Sequence, residues 1–229
     1  MVLFRRAEKR LGNFLTRTDD PDGSTHDYSS SELSSRFSRQ FGKDHGWLMG
    51  QKILFEFDPA STYEKVIKDF VLECKANGET VIVLTEKSGP ISSAIRTQTN
   101  VKFVYMTAQV SAPKEISENE VLLPWGYGSL VFSTLHADLE GRHDENLNTI
   151  CCNLSSSILT FGLKRSYSFL KGELELVISP RITHMNLLNV TAHGPKEVST
   201  IEGLFSNILT CNERGLRALK LAKIKHLLS

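Results

Sequence analysis

Hydrophobic residues first fall into an ordered pattern at 53–57, Ile-Leu-Phe-Glu-Phe, a short apolar run of strand length. Behind it Tyr63, Val66, Ile67, Phe70, Val71 and Cys74 recur at three- and four-residue spacing, which predicts an amphipathic helix over 62–76. Asn77 and Gly78 end that helix as a left-handed C-cap would. Further apolar runs at 81–84, 101–106, 149–152 and 184–190 predict strands. Helical patterns fall between them at 91–96, 130–139, from 155 to 161, and at 166–177, the last stopped by Pro180. A connection containing Pro and Glu leads to Trp125 and Gly126, residues 198–209 read as helix or turn, and 216–224 closes the chain with Leu216, Leu219 and Leu221 between basic residues. Strands alternating with helices predict an α/β fold, a mainly parallel sheet covered on both faces in three layers. Ligands of such folds sit beyond the carboxyl ends of the strands. Those ends here are 58–62, 85–89, 153–156 and 191–195.

Residues 1–46 break the pattern. From 17 to 39 the chain is dominated by Asp, Ser, Thr, Gly and Arg, a composition that buries too little apolar surface to offset its ordering entropy. The division expected is a flexible N-terminal segment, 1–46, and an α/β domain, 47–229. Leu3, Leu11 and Leu15 at helical spacing allow a short amphipathic helix over 2–15, either on a solvated tail or on a docking arm.

Composition narrows the class. With 229 residues, 40% hydrophobic and 23% charged, the chain can bury one good core as an ordinary globular protein does. A formal net charge of +1 provides no global field for nucleic acid or an anionic membrane. No run reaches the roughly 20 apolar residues of a membrane helix, and the N-terminus lacks the apolar stretch of a secretory signal. Cys74, Cys151, Cys152 and Cys211 form no C-x-x-C and share no zinc-site spacing with His, so they read as reduced, buried thiols of a cytoplasmic protein, with no metal site.

The strand–loop–helix at 53–76 is the setting of a phosphate-binding loop, whose pattern is G-x-x-x-x-G-K-[ST]. Laid on it, Phe57 takes the first Gly, Thr62 the second, Tyr63 the Lys and Glu64 the hydroxyl residue. Gly at the loop ends lets backbone N–H groups turn toward phosphates; Phe57 and Thr62 put side chains there. Tyr63 brings no positive charge, and Glu64 adds a negative one where Mg²⁺ and triphosphate would lie.

With Asp58, Pro59 and Ser61 in that loop, 78–86 as a second strand ending on Glu86, and 150–155 as a third ending on Cys152-Asn153-Leu154-Ser155, the chain resembles the RecA-like ATPases of the KaiC type, including archaeal relatives that keep the frame without the motifs. The resemblance runs from about residue 46 to the C-terminus and implies a RecA-like sheet whose domains assemble side by side. Cys152 stands where the family's Mg²⁺-holding carboxylate belongs, and a thiol is a poor Mg²⁺ ligand. The family's paired acidic residues after the second strand are Glu86 and Lys87 here, so the water-activating pair is incomplete. The resemblance therefore implies a disabled site: no ATP hydrolysis, no cofactor, and a regulatory or scaffold role through a protein partner or self-association. The alternative is a sensor, whose relic cleft of Asp58, Ser61, Thr62, Tyr63, Glu64, Glu86, Cys152 and His193 binds a nucleotide or other small ligand without hydrolysis. Nucleic acid and membrane are not expected as partners.

Other groups have plain readings beside sharper ones. Glu86 is an exposed turn carboxylate or a general base, and His193 a loop histidine or a cleft residue. His136 and His143 flank Asp138 and Asp144 without standard metal spacing. The Cys151–Cys152 pair is packing or a redox sensor. The basic C-terminal stretch, Arg214, Arg217, Lys220, Lys223, Lys225 and His226, is a final strand with a solvated face or an acidic partner's contact, and it has no interleaved aromatics for stacking on bases.

Overall fold

The apolar runs condense into one nine-stranded sheet in the computed structural model, which describes residues 9, 11–15, 36–98, 101–126, 128–139 and 146–222, with the backbone alone described at 128 and 135–139. The elements are α1 (Arg36–Arg39), β1 (Lys52–Phe57), α2 (Tyr63–Ala76), β2 (Thr80–Thr85), α3 (Pro90–Ile95), β3 (Val101–Thr107), β4 (Lys114–Ser117), β5 (Glu120–Pro124), α4 (Gly128–Leu139), β6 (Leu147–Cys151), α5 (Leu154–Phe161), α6 (Leu163–Leu176), β7 (Ile182–Asn189), α7 (Pro195–Glu202), β8 (Asn207–Asn212) and β9 (Gly215–Lys220). Strand order is β4-β5-β3-β2-β6-β7-β1-β8-β9. All pairings from β5 to β8 are parallel, and the two edge strands, β4 and β9, are antiparallel. The mainly parallel α/β sheet expected from the pattern is therefore the observed one.

Burial on both faces explains why the strands read as nearly unbroken apolar runs. Ile53 and Phe55 of β1, Val81 and Val83 of β2, and Met185 and Leu187 of β7 face one core, with Phe37, Tyr63, Ile67, Val71 and Ile91 from α1, α2 and α3. The alternate residues face the other side in two clusters. Ile82, Leu84 and Val104 pack with Leu130 and Phe132 of α4, while Leu54 and Leu188 pack with Leu154, Leu170, Leu174 and Ile201 of α5, α6 and α7. Gly50 (φ 70°) leads into β1 with its α-carbon against the backbone of Pro180; a β-carbon there would lie 2.6 Å from the Pro180 carbonyl oxygen, so only glycine fits.

Two expectations need correcting. The connection before Trp125 holds an antiparallel hairpin, β4–β5. Its outer strand is exposed along its whole length, so no alternation marks it. Residues 198–209 are not one helical region: α7 ends at Glu202, and 207–212 is β8, paired with β1. The basic stretch is the edge strand β9 as far as Lys220, and Lys223, Lys225 and His226 lie outside the described residues.

Parts of segment 1–46 belong to the core. Residues 11–15 are helical, and Leu11, Phe14 and Leu15 are buried in the cluster of Val104, Leu123 and Val131. The buried Lys102 ammonium donates to the carbonyls of Phe14 (2.9 Å) and Leu15 (2.8 Å), which ties that helical turn to β3. Phe37 of α1 packs edge-on against Phe70 of α2 (5.1 Å between ring centroids), and the Ser38 N–H donates to Glu73 Oε2 (2.9 Å). His45 bridges two carboxylates, Glu73 (3.1 Å) and Glu79 (3.0 Å), beside it. The polar stretch 16–35 lies outside the described residues. Among the described residues, no helix is long and apolar enough to cross a membrane.

Candidate functional site

β1 delivers the chain to the loop 58–62, and α2 starts directly behind it. The N–H groups of Asp58, Ala60 and Ser61 all have partners. Asp58 N–H donates to Cys211 O (3.0 Å), Ala60 N–H to Asp58 Oδ1 (2.9 Å) and Ser61 N–H to Asp58 O (2.9 Å); Pro59 has none to give. The Ser61 hydroxyl also donates to Asp58 O (2.6 Å). A phosphate cradle needs successive N–H groups converging on an outside anion. Here Asp58 takes the N–H groups of Ala60 and Ser61 within the turn, and Cys211 of β8 takes that of Asp58.

The residues laid on the pattern's first Gly and its Lys meet each other. Phe57 and Tyr63 stack with ring centroids 4.1 Å apart and planes 20° apart. Tyr63 is 5% exposed, and burial, then the neighbouring Glu64, pushes its hydroxyl up to about 12. Thr62 is exposed and Glu64 half-buried. Cys152 packs against the same core cluster as Phe57 and Tyr63; its N–H donates to Leu84 O (2.8 Å), and burial, opposed by a Thr85 hydrogen bond, pushes its thiol up to about 12. The position expected to hold Mg²⁺ therefore carries a neutral thiol at physiological pH.

Glu86, at the end of β2, is exposed and accepts from the Ser156 hydroxyl of α5 (3.1 Å). Lys87 is exposed beside it. His193 follows the 3-10 turn Val190–Ala192; its side chain is 1% exposed, its Nδ1 lies 3.8 Å from Glu197 Oε2, and neither ring nitrogen has a hydrogen-bond partner. Glu197 in turn accepts from the Gly194 N–H (3.0 Å) at the start of α7. The structure thus brings Phe57, Tyr63 and Cys152 into one packed group, with Asp58 and Ser61 closing the turn above β1 and Glu86 tethered to α5. His143 and Asp144 lie outside the described residues, as do the side chains of His136 and Asp138.

A second polar group sits on the opposite face of the sheet, away from the loop. Thr149 and Cys151 of β6 stand opposite His184 and Asn186 of β7 in the parallel register. His184 is fully buried; its Nε2 lies 2.8 Å from Glu173 Oε1 of α6 and 2.7 Å from Asn186 Nδ2, and its Nδ1 lies 2.6 Å from Thr149 Oγ1. Cys151 Sγ lies 3.5 Å from Glu173 Oε1, and burial, then the Glu173 charge, pushes its thiol well above the ordinary range. Cys151, Glu173 and Asn186 line a cavity of about 200 Å³ whose walls are Leu84, Met106 and Phe132 and whose rim carries Phe161, Arg165 and Phe169. Sequence reading missed this group because its members come from three elements; the readable signal was polar residues at alternate positions of two apolar strands.

No model of a known protein family matches the chain, and no curated protein matches its sequence. Solved structures do resemble it. A Pyrococcus horikoshii protein is 13% identical with a TM-score of 0.54, covering 77% of this chain and 89% of its own. A Nanoarchaeum equitans ATP synthase subunit is 13% identical with a TM-score of 0.52, covering 78% of this chain and 55% of its own. An uncharacterised P. horikoshii protein in complex with an unknown peptide is 14% identical with a TM-score of 0.50, covering 82% of this chain and 89% of its own. At such identities the likeness is one of fold alone, here a mainly parallel α/β sheet.

Proposed function

We propose that this chain is a RecA-like protein without ATPase activity that acts as a regulatory or scaffold module, through contacts with a protein partner or with further copies of itself. The loop 58–62 carries this reading: the N–H groups of Asp58, Ala60 and Ser61 are taken by Cys211 and Asp58, and Phe57 and Tyr63, at the pattern's first Gly and Lys positions, are stacked on each other against the core. The neutral Cys152 thiol adds to it, since Mg²⁺ is held by hard oxygen ligands. A nucleotide sensor at this loop would need the face of Tyr63 for stacking, and that face is spent on Phe57. A role through protein contacts gains support from the neighbour solved with a bound peptide. It also draws on the large apolar side chains exposed on and just after α5 and α6, Leu159, Phe161, Phe169 and Ile178.

Two assays test the proposal. Phosphate release from Mg²⁺–ATP by the purified chain is expected to stay at the level of the buffer; turnover that disappears in Glu86→Gln would overturn the non-catalytic reading. Sedimentation across a wide concentration range tests the self-association branch: a mass that grows with concentration supports it, and a constant monomer mass leaves a different protein as the partner.

A further inference from the structure

We propose that Cys151, Glu173 and His184 form a binding site for a zinc-type divalent ion whose remaining coordination position opens into the adjoining cavity. This goes beyond the scaffold reading and does not rest on the loop 58–62.

The donor set comes first. A sulfur, an imidazole nitrogen and a carboxylate oxygen lie within 4.8 Å of one another, all three on buried residues. Tetrahedral zinc with bonds of about 2.0–2.3 Å sets its ligand atoms about 3.3–3.8 Å apart. Cys151 Sγ and Glu173 Oε1 already stand at 3.5 Å. The His184 Nε2–Glu173 Oε1 pair, at 2.8 Å, need open by only about 0.5 Å to meet that geometry. Sulfur in the set excludes Mg²⁺ and Ca²⁺ and favours a softer ion.

The surroundings of His184 supply an independent observation. A metal-bound imidazole usually gives its other ring N–H to a fixed acceptor, which sets the tautomer and the ring's orientation. Thr149 Oγ1 lies 2.6 Å from His184 Nδ1 and within 3.4 Å of Thr183 O, so the hydroxyl can accept from the ring while its own hydrogen points to the backbone. The Nε2 side is crowded without an ion. One ring nitrogen faces both a carboxylate oxygen (2.8 Å) and an amide nitrogen (2.7 Å), and it cannot donate to the first and accept from the second at once. A cation between Nε2, Oε1 and Sγ removes the opposition between imidazole and carboxylate, because all three atoms then present lone pairs to it, and the Asn186 amide N–H, with that ring lone pair taken, turns to another acceptor.

The cavity provides the third argument. Structural zinc sites are closed by four protein ligands, whereas sites that act on a ligand keep one position free. Three donors converge here, and Cys151, Glu173 and Asn186 line a space of about 200 Å³. That volume takes a water or a small ligand with an anionic or thiol head, with an apolar body against Leu84, Met106 and Phe132 and Arg165 at the rim.

Cobalt(II) is the probe, because sulfur coordinated to it gives a charge-transfer absorption in the near ultraviolet. The full chain, freed of metal, is titrated with Co²⁺ under reducing conditions. The expected result is a saturable sulfur-to-cobalt absorption at one ion per chain, displaced by Zn²⁺, absent in Cys151→Ser and kept in Cys152→Ser. Thr149→Val should weaken Co²⁺ binding by about 10–100-fold without abolishing the absorption, as loss of an orienting partner does. No sulfur-to-cobalt absorption in the wild-type chain would overturn the proposal whatever the variants do. Absorption that survives in Cys151→Ser would overturn it equally, by placing the metal elsewhere. ATP turnover and self-association do not enter this readout, so its failure is separate from failure of the scaffold reading.

Discussion

Phe57 and Tyr63 spend ring faces on each other at the end of β1 and the start of α2. Tyr63 falls where the phosphate-binding pattern has its lysine, and its ring is committed to Phe57 at 4.1 Å. Tyr63→Ala should cost about 3 kcal/mol in a denaturant titration, the scale of removing a buried aromatic ring. Tyr63→Lys restores the lost charge, yet should not restore ATP binding in equilibrium titration, because the N–H groups of Ala60 and Ser61 stay tied to Asp58. Glu56 gives a prediction about pH. It is buried in β1, and burial, then its hydrogen bond with Glu202, raises its carboxyl from an ordinary 4.5 to about 7. The folded chain therefore holds a proton there that the unfolded chain releases. The stabilisation is full below about 4.5 and is lost as pH rises through about 7. Melting temperatures of the wild type should fall relative to Glu56→Gln across that window, and parallel curves would refute the assignment. Reading residues alone grouped Phe57, Tyr63 and Cys152, since each falls where the resembled motifs call for a different residue. It could not pair Thr149 with His184 or find Glu173 beside them, because contacts between strands depend on a register that spacing along one chain does not reveal.

Elements were legible where they form an apolar run buried on both faces or repeat with a helical period. β1, β2, β3, β6 and β7, and the helix α2, carry that pattern, and each lies within a few residues of its expected bounds. The β4–β5 hairpin and β8 escaped because an exposed edge strand has no apolar face, and because a short strand directly after a helix shares its apolar residues with the helical pattern. The packing of 11–15 was also hidden: Leu11, Phe14 and Leu15 look like a marginal helix until Lys102 is seen holding the carbonyls at its end. Lys102→Met should destabilise the fold by on the order of 2 kcal/mol, since it removes charge-assisted hydrogen bonds to buried carbonyls. A full-length Lys102→Met protein as stable as the wild type would show that this docking contributes nothing. Gly50→Ala tests the entry to β1 in the same way. The added carbon meets the Pro180 carbonyl, so the melting temperature should drop, although no functional group is touched.

At the scale of the whole molecule, a mainly parallel sheet carries the stacked Phe57–Tyr63 pair on one face and a buried Cys–Glu–His group beside a cavity on the other. Apolar runs alternating with helical patterns made the class of fold legible in the sequence, whereas the strand order was not. What the fold is used for rests on a few side chains at the strand ends. The most direct test of the account is a thermal-shift titration of the full chain with ATP, ADP and AMP, each with and without Mg²⁺. A ligand of the native state raises the melting temperature as its concentration rises. The account predicts no shift with any of the six combinations. A shift that grows with Mg²⁺ and with the third phosphate would contradict it, and would mean that the loop 58–62 opens to bind what its ground-state geometry excludes.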